Sequence, residues 1–134
     1  MQGSCLCGAI VYQVDSLDTP VRHCSCHTCR KAHAAAFNTG CGVKKEHFRW
    51  VQGETLLAHY ESSPGKVRHF CSRCGSQLVA EKAGVPYMVL RLATLDDDPG
   101  VRPSAHIWTS HEVPWLSYGE DLPRCEEWPL GYPG

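Results

Sequence analysis

Seven cysteines fall into tight groups along this sequence: Cys5 and Cys7, then Cys24, Cys26 and Cys29, then Cys71 and Cys74. Zinc takes thiolate sulfur in a tetrahedron of four ligands, each at about 2.3 Å. Cysteines one or two residues apart would close a strained ring as a disulfide, but their side chains converge readily on one ion. Cys71-Ser72-Arg73-Cys74-Gly75 has the form of the commonest half-site. Its two intervening residues turn the backbone so that both sulfurs face one point, and glycine tolerates the positive φ that closes the turn.

Seven ligands divide as four plus three. Spacing does not determine which pair completes the Cys71/Cys74 site. Cys5 and Cys7 could do so, leaving Cys24, Cys26 and Cys29 together at a second ion. Three thiolates leave zinc one further position for water, substrate or another side chain. Closed sites are usually structural, whereas catalysis requires such a position. Cys41 and Cys125 stand apart from the groups. Cys41 is a candidate fourth ligand at the second ion, where it would make a closed four-cysteine site. Otherwise it is a buried free thiol. Cys125 reads as a free thiol.

The motifs run in order: Gly3-Ser4-Cys5-Leu6-Cys7-Gly8-Ala9, His23-Cys24-Ser25-Cys26-His27-Thr28-Cys29-Arg30-Lys31, Phe48-Arg49-Trp50, Ser62-Ser63-Pro64-Gly65 and Phe70-Cys71-Ser72-Arg73-Cys74-Gly75-Ser76. With His106-Ile107-Trp108-Thr109 and Leu122-Pro123, they make the chain resemble the glutathione-dependent formaldehyde-activating enzyme family, which includes centromere protein V. The resemblance implies a mainly β fold, a β-tent of small antiparallel sheets around zinc with one short helix. It implies two zinc ions, a structural one on Cys5, Cys7, Cys71 and Cys74 and an activity-linked one on Cys24, Cys26 and Cys29. It also implies formation of S-(hydroxymethyl)glutathione from glutathione and formaldehyde, formally a carbon–sulfur lyase reaction in the synthetic direction. Cys41 lies outside the family pattern.

That chemistry suits a three-thiolate site. Zinc there can keep a small thiol such as glutathione ionised or polarise an aldehyde oxygen. Three thiolates make it electron-rich, so holding the thiolate is its larger contribution. Arg22, Arg30 and Lys31 are candidates to pair with substrate carboxylates. His23 and His27 flank ligands and read as supports to the site. His33, His47, His59, His69 and His111 read as surface or strand residues, and His106, beside Trp108, as packed or pocket-lining. Trp50, Trp108, Trp115 and Trp128 read as core and lid packing.

The elements that must position these groups are mostly strands. Ala9–Val14, Phe37–Val43, Thr55–Tyr60, Lys66–Phe70, Gln77–Ala80 and Tyr87–Leu95 carry β patterns bounded by turn residues. Thr28–Ala36 reads as a short helix, and Lys45–Trp50 as a turn or short extended piece. The last third, rich in Pro, Trp and Gly, reads as ordered loop. With 134 residues and no linker or repeat, the chain is expected to form one zinc-binding domain over 1–134.

Composition narrows the function classes. No apolar run approaches the roughly 20 residues that cross a bilayer. The sequence starts without a basic, then apolar, leader, so the expected compartment is the cytoplasm, where thiols stay reduced. Residues 22–73 carry nine Lys/Arg against three Asp/Glu, whereas residues 74–134 carry four against nine. Seven thiolates on two Zn²⁺ leave −3, which nearby basic residues offset. The chain is slightly acidic overall and has no basic tail, so nucleic acid is an unlikely partner. The expected partners are a small thiol and an aldehyde. The rival is a non-catalytic zinc module that binds a protein or other macromolecule, which a closed second site would favour.

Overall fold

Ten short strands and one helix order the chain in a computed structural model, which describes residues 1–119 and 122–129. The strands are β1 (Gln2–Ser4), β2 (Val11–Val14), β3 (Arg22–Cys24), β4 (Asn38–Lys44), β5 (Phe48–Gln52), β6 (Leu57–Ser63), β7 (Lys66–Cys71), β8 (Gln77–Lys82), β9 (Tyr87–Arg91) and β10 (Ala105–Ile107). The helix α1 spans His27–His33. Strands β1-β2-β5 form a small sheet, and β10-β3-β4-β9-β8-β7-β6 a larger one. All pairings are antiparallel except β10 on β3. The fold is therefore mainly β with a single α-helix, as expected. No helix among the described residues is long and apolar enough to cross a membrane.

The two sheets enclose a core of Ile10, Tyr12, Val14, Val43, Val79 and Leu90, all at most 1% exposed, together with Cys41. Tyr12 stacks on Phe48 at 5.2 Å and meets the edge of Trp50 at 6.1 Å. Its hydroxyl shares a 2.7 Å hydrogen bond with Thr94 Oγ1. Gly3 lies opposite Tyr12 in the β1–β2 ladder, where any Cβ would collide with the phenol ring. The small sheet is thus built around one aromatic that needs a glycine beneath it.

Register sorts the large sheet into two faces. Cys24 opposes Asn38, and Gly40 opposes both Arg22 and Arg91. Ala80 opposes both Val89 and Arg68, and Arg68 opposes Tyr60. Directly opposed residues share a face and neighbours alternate. Cys24, Arg91 and Arg68 therefore lie on one side, and Cys41, Leu90 and Val79 on the other, against the core.

Several elements differ from the sequence reading. Phe48–Gln52 is a full strand, because it finds β2 as a partner. β1, β3 and β10 have only three residues each, with Gly, Ser and His among them. They are strands through pairing rather than propensity. Leu92–Thr94 is a 3₁₀ turn, not the end of a strand. The helix stops before Ala36 because Ala34 adopts a left-handed conformation, its N–H bonding back to the Arg30 carbonyl. Trp50 packs in the core as read, but Trp108, Trp115 and Trp128 are all more than half exposed.

Candidate metal centres

Cys5 and Cys7 sit in the turn after β1, Cys71 ends β7, and Cys74 lies in the turn before β8. Their four sulfurs all lie within 4.8 Å of one another. Cys7 Sγ is 3.6 Å from Cys5 Sγ and 3.9 Å from Cys71 Sγ. A tetrahedron with bonds of about 2.3 Å has sulfur–sulfur edges of about 3.8 Å, so the spacing fits zinc. Gly8 and Gly75 carry the positive φ values, 71° and 77°, that close the two turns.

Hydrogen bonds hold these sulfurs in place. The Ile10 N–H donates to Cys5 Sγ at 3.3 Å. Ser76 Oγ lies 3.3 Å from Cys74 Sγ and accepts the Leu6 N–H at 3.0 Å, tying the two turns together. The Ser76 hydroxyl holds the Cys74 thiol down to about 5. Although the Ala9 N–H favours a Cys7 thiolate, the crowding sulfurs, Cys5 foremost, push Cys7 up to about 11. Four sulfurs this close cannot all ionise unaided, and a divalent cation removes that obstacle.

Cys24 ends β3, Cys26 caps α1 and Cys29 is buried in its first turn. These three sulfurs also lie within 4.8 Å of one another. Cys26 Sγ accepts the Cys29 N–H at 3.4 Å. Burial pushes the Cys24 thiol up to about 12. Burial also opposes ionisation of Cys26, but the Cys29 N–H and the neighbouring sulfurs bring it below the ordinary thiol value. Between the ligands, Ser25 is fully buried, and its N–H bonds to the Ile107 carbonyl at 3.1 Å, fastening the group to β10.

The trio opens onto a cavity of about 360 Å³ whose walls include His27, Lys66, Arg68, Trp108 and His111. A second cavity of about 520 Å³ shares Arg68, Ser62 and His27 with the first, and extends to Lys31, Phe70 and Gln77. Arg68 and Arg91 are only 3% and 4% exposed. Arg68 Nη1 and Arg91 Nε and Nη2 are buried with no hydrogen-bond partner. Burial lowers the Arg91 guanidinium to about 10, and repulsion from Arg68 adds to this, while attraction to Cys29, Cys24 and Cys26 opposes it. Cations buried beside the trio favour its thiolates, and the sulfur spacing lets both cysteine groups hold a metal such as zinc.

Other candidate residues are placed differently. Arg22 is exposed on β3, on the face of Cys24, with which it lines a further cavity, and Arg30 Nε donates to the Ser25 carbonyl at 3.2 Å. Of the three cations read as carboxylate partners, only Lys31 lines one of these two cavities. His23 Nδ1 lies 2.8 Å from Thr39 Oγ1, and its ring packs on Phe37 and His106. His33 is not a surface residue; its Nε2 is buried. Cys41 and the exposed Cys125 belong to neither sulfur group. Lys66, Arg68 and Arg91 went unrecognised, since a basic residue next to an apolar one in a strand, Val67 or Leu90 here, looks like a solvent-facing position.

The family model described as glutathione-dependent formaldehyde-activating enzyme matches residues 1–111. A protein of Halomonas elongata, provisionally named a glutathione-dependent formaldehyde-activating enzyme, is 30% identical, over 99% of this chain and 88% of its own length. The crystal structure of a Rhodobacter sphaeroides protein superposes with a TM-score of 0.64. At 24% identity, covering 79% of this chain and 99% of that one, it speaks to the fold.

Proposed function

The chain belongs to the glutathione-dependent formaldehyde-activating enzyme family, and from that premise we propose that it is a zinc enzyme joining a small thiol, glutathione or a relative, to an aldehyde such as formaldehyde. The observation that carries this reading is the opening of the Cys24/Cys26/Cys29 group onto a cavity, with Cys41 facing the other way. The reaction is formally that of a carbon–sulfur lyase in the synthetic direction. Cys5, Cys7, Cys71 and Cys74 are assigned a structural zinc and the trio the reactive one.

Zinc on Cys24, Cys26 and Cys29 would supply a fourth position that keeps a thiol ionised near neutral pH or polarises an aldehyde oxygen. The thiolate sulfur then attacks the carbonyl carbon. A C–S bond forms, the carbonyl π pair moves to oxygen, and that oxygen takes a proton to give the S-hydroxymethyl product. His27 and His111 line the cavity and are placed to pass a proton to that oxygen. Lys66 offers a cation for a carboxylate of the thiol, and Trp108 an apolar wall.

Formation of S-hydroxymethyl adducts, followed by NMR with a panel of thiols and aldehydes and zinc-replete protein, tests the proposal. Acceleration over the uncatalysed mixture is expected, and no acceleration with any pair would refute it. Sulfur-ligand counting by X-ray absorption distinguishes the non-catalytic alternative, for which both ions would have only sulfur neighbours.

A further inference from the structure

We propose that Arg68 and Arg91 make the three-cysteine centre selective for an anionic ligand, so that a thiol is taken up there as its thiolate, resting on the reading that Cys24, Cys26 and Cys29 hold zinc. Both arginines lie on the sheet face that carries Cys24, with only β4 between the strand of Cys24 and that of Arg91. Both are buried, and among the described residues no carboxylate pairs with either. Arg68 Nε donates to Ser62 Oγ at 2.9 Å, a neutral acceptor, and Arg68 Nη1, Arg91 Nε and Arg91 Nη2 have none. Besides the cysteines and the Tyr60 phenol, the other titratable groups on the cavity walls, Lys66, His27, His111 and Lys31, are basic. Among the described residues, no Asp or Glu lines either cavity.

Charge counting then selects the ligand. Among the buried groups alone, zinc on three thiolates would carry −1, and the two guanidiniums add +2. A neutral fourth ligand such as water leaves +1 in a poorly solvated site, whereas a thiolate brings the sum to zero. Isolated buried charge is costly and compensated charge much less so. The arginines thereby offset the electron-rich character that three thiolates impose on the metal. Uptake would break the S–H bond, put the sulfur at the fourth position in place of any neutral ligand there, and release the proton to solvent, with no change of oxidation state.

The test uses the zinc-loaded full chain and 2-mercaptoethanol, whose uncharged body isolates the charge on sulfur. Titration calorimetry in two buffers of different protonation enthalpy yields both Kd and protons released. The wild type is expected to release about one proton per thiol bound. Arg91→Gln and Arg68→Gln should each weaken binding about tenfold or more, as expected for loss of an opposite charge nearby, and Arg91→Lys should retain most of it. The inference is overturned if both Gln variants, with zinc content and melting unchanged, bind within about twofold of wild type. It is equally overturned if 2-(methylthio)ethanol, whose sulfur cannot ionise, binds the wild type as tightly as 2-mercaptoethanol, a measurement that needs no variant. A zinc-loaded wild type that takes up no thiol at all refutes the proposed function and this inference with it.

Discussion

Cys24 on β3 and Cys41 on β4 lie on neighbouring paired strands yet point to opposite faces of the large sheet. Cys24 opposes Asn38, and Cys41, three residues further along β4, is on the alternate side. There it packs with Val43 and Leu90 in the core, 3% exposed. Burial, assisted by the charge of Asp18, pushes its thiol up to about 11, so it remains protonated.

Replacing Cys41 by Ala should therefore leave the zinc content unchanged. The cost should be that of a small cavity, about 1–2 kcal/mol, seen as a shifted denaturation midpoint. Loss of one zinc per chain on elemental analysis would place Cys41 among the ligands after all.

The two cysteine groups should respond differently to removal of one sulfur. Cys5 and Cys74 are joined only through almost seventy residues of chain, so an ion there staples the amino-terminal turn to the β7–β8 turn. The trio spans six consecutive residues and closes almost no loop. Cys74→Ser should lose about one zinc and several kcal/mol of stability. Cys26→Ser should also lose about one zinc but melt close to wild type. Equal melting of the two variants would contradict the division into a structural and a reactive centre.

The sulfur groups and the main strands were legible in the sequence because metal half-sites and β alternation are local patterns. Cys71-Ser72-Arg73-Cys74-Gly75 shows its hairpin tip directly, and Tyr87–Arg91 shows its interior strand. What was hidden depends on partners distant in the chain. Arg22–Cys24 is a strand because Asn38–Gly40 on one side and Ala105–Ile107 on the other accept it. Arg68 and Arg91 are buried on the Cys24 face of the sheet, where strand register puts them, and no local signal separates them from exposed arginines. The likeness to a known family supplied the pairing of Cys5/Cys7 with Cys71/Cys74, which spacing left open; in the structure these four sulfurs lie within 4.8 Å of one another.

His33, on the last turn of α1, should make stability fall in mild acid. Burial, followed by the charges of Arg91 and Arg68, holds its imidazole down to about 4, against an ordinary 6.5. Between those values the unfolded chain binds a proton that the folded chain excludes, so stability rises with pH. The contribution is complete above about pH 6.5 and is lost as pH falls toward 4. Denaturant melts of wild type and His33→Gln across that window should converge at low pH. Parallel slopes for the two proteins would show that another group carries the dependence.

Trp108 is the second non-glycine residue, with Ala34, held at positive φ, here 60°. The left-handed conformation costs an L-residue about 1–2 kcal/mol, and strain of this kind persists where a side chain must be aimed. Trp108 immediately follows Ile107, which pairs with Cys24 on β3, and it forms part of the wall of the cavity beside the trio. Its carbonyl accepts the His111 N–H at 3.0 Å, so the turn is fastened on its far side. Glycine at this position relieves the strain and removes the wall, whereas alanine keeps the strain and removes the wall. Trp108→Gly should therefore be more stable than Trp108→Ala by about 1 kcal/mol. Both should raise KM for the thiol about fivefold, as expected for about 1 kcal/mol of lost apolar contact. A KM unchanged in both would remove Trp108 from the substrate wall, and equal stability of the two variants would mean that the turn relaxes once the indole is gone.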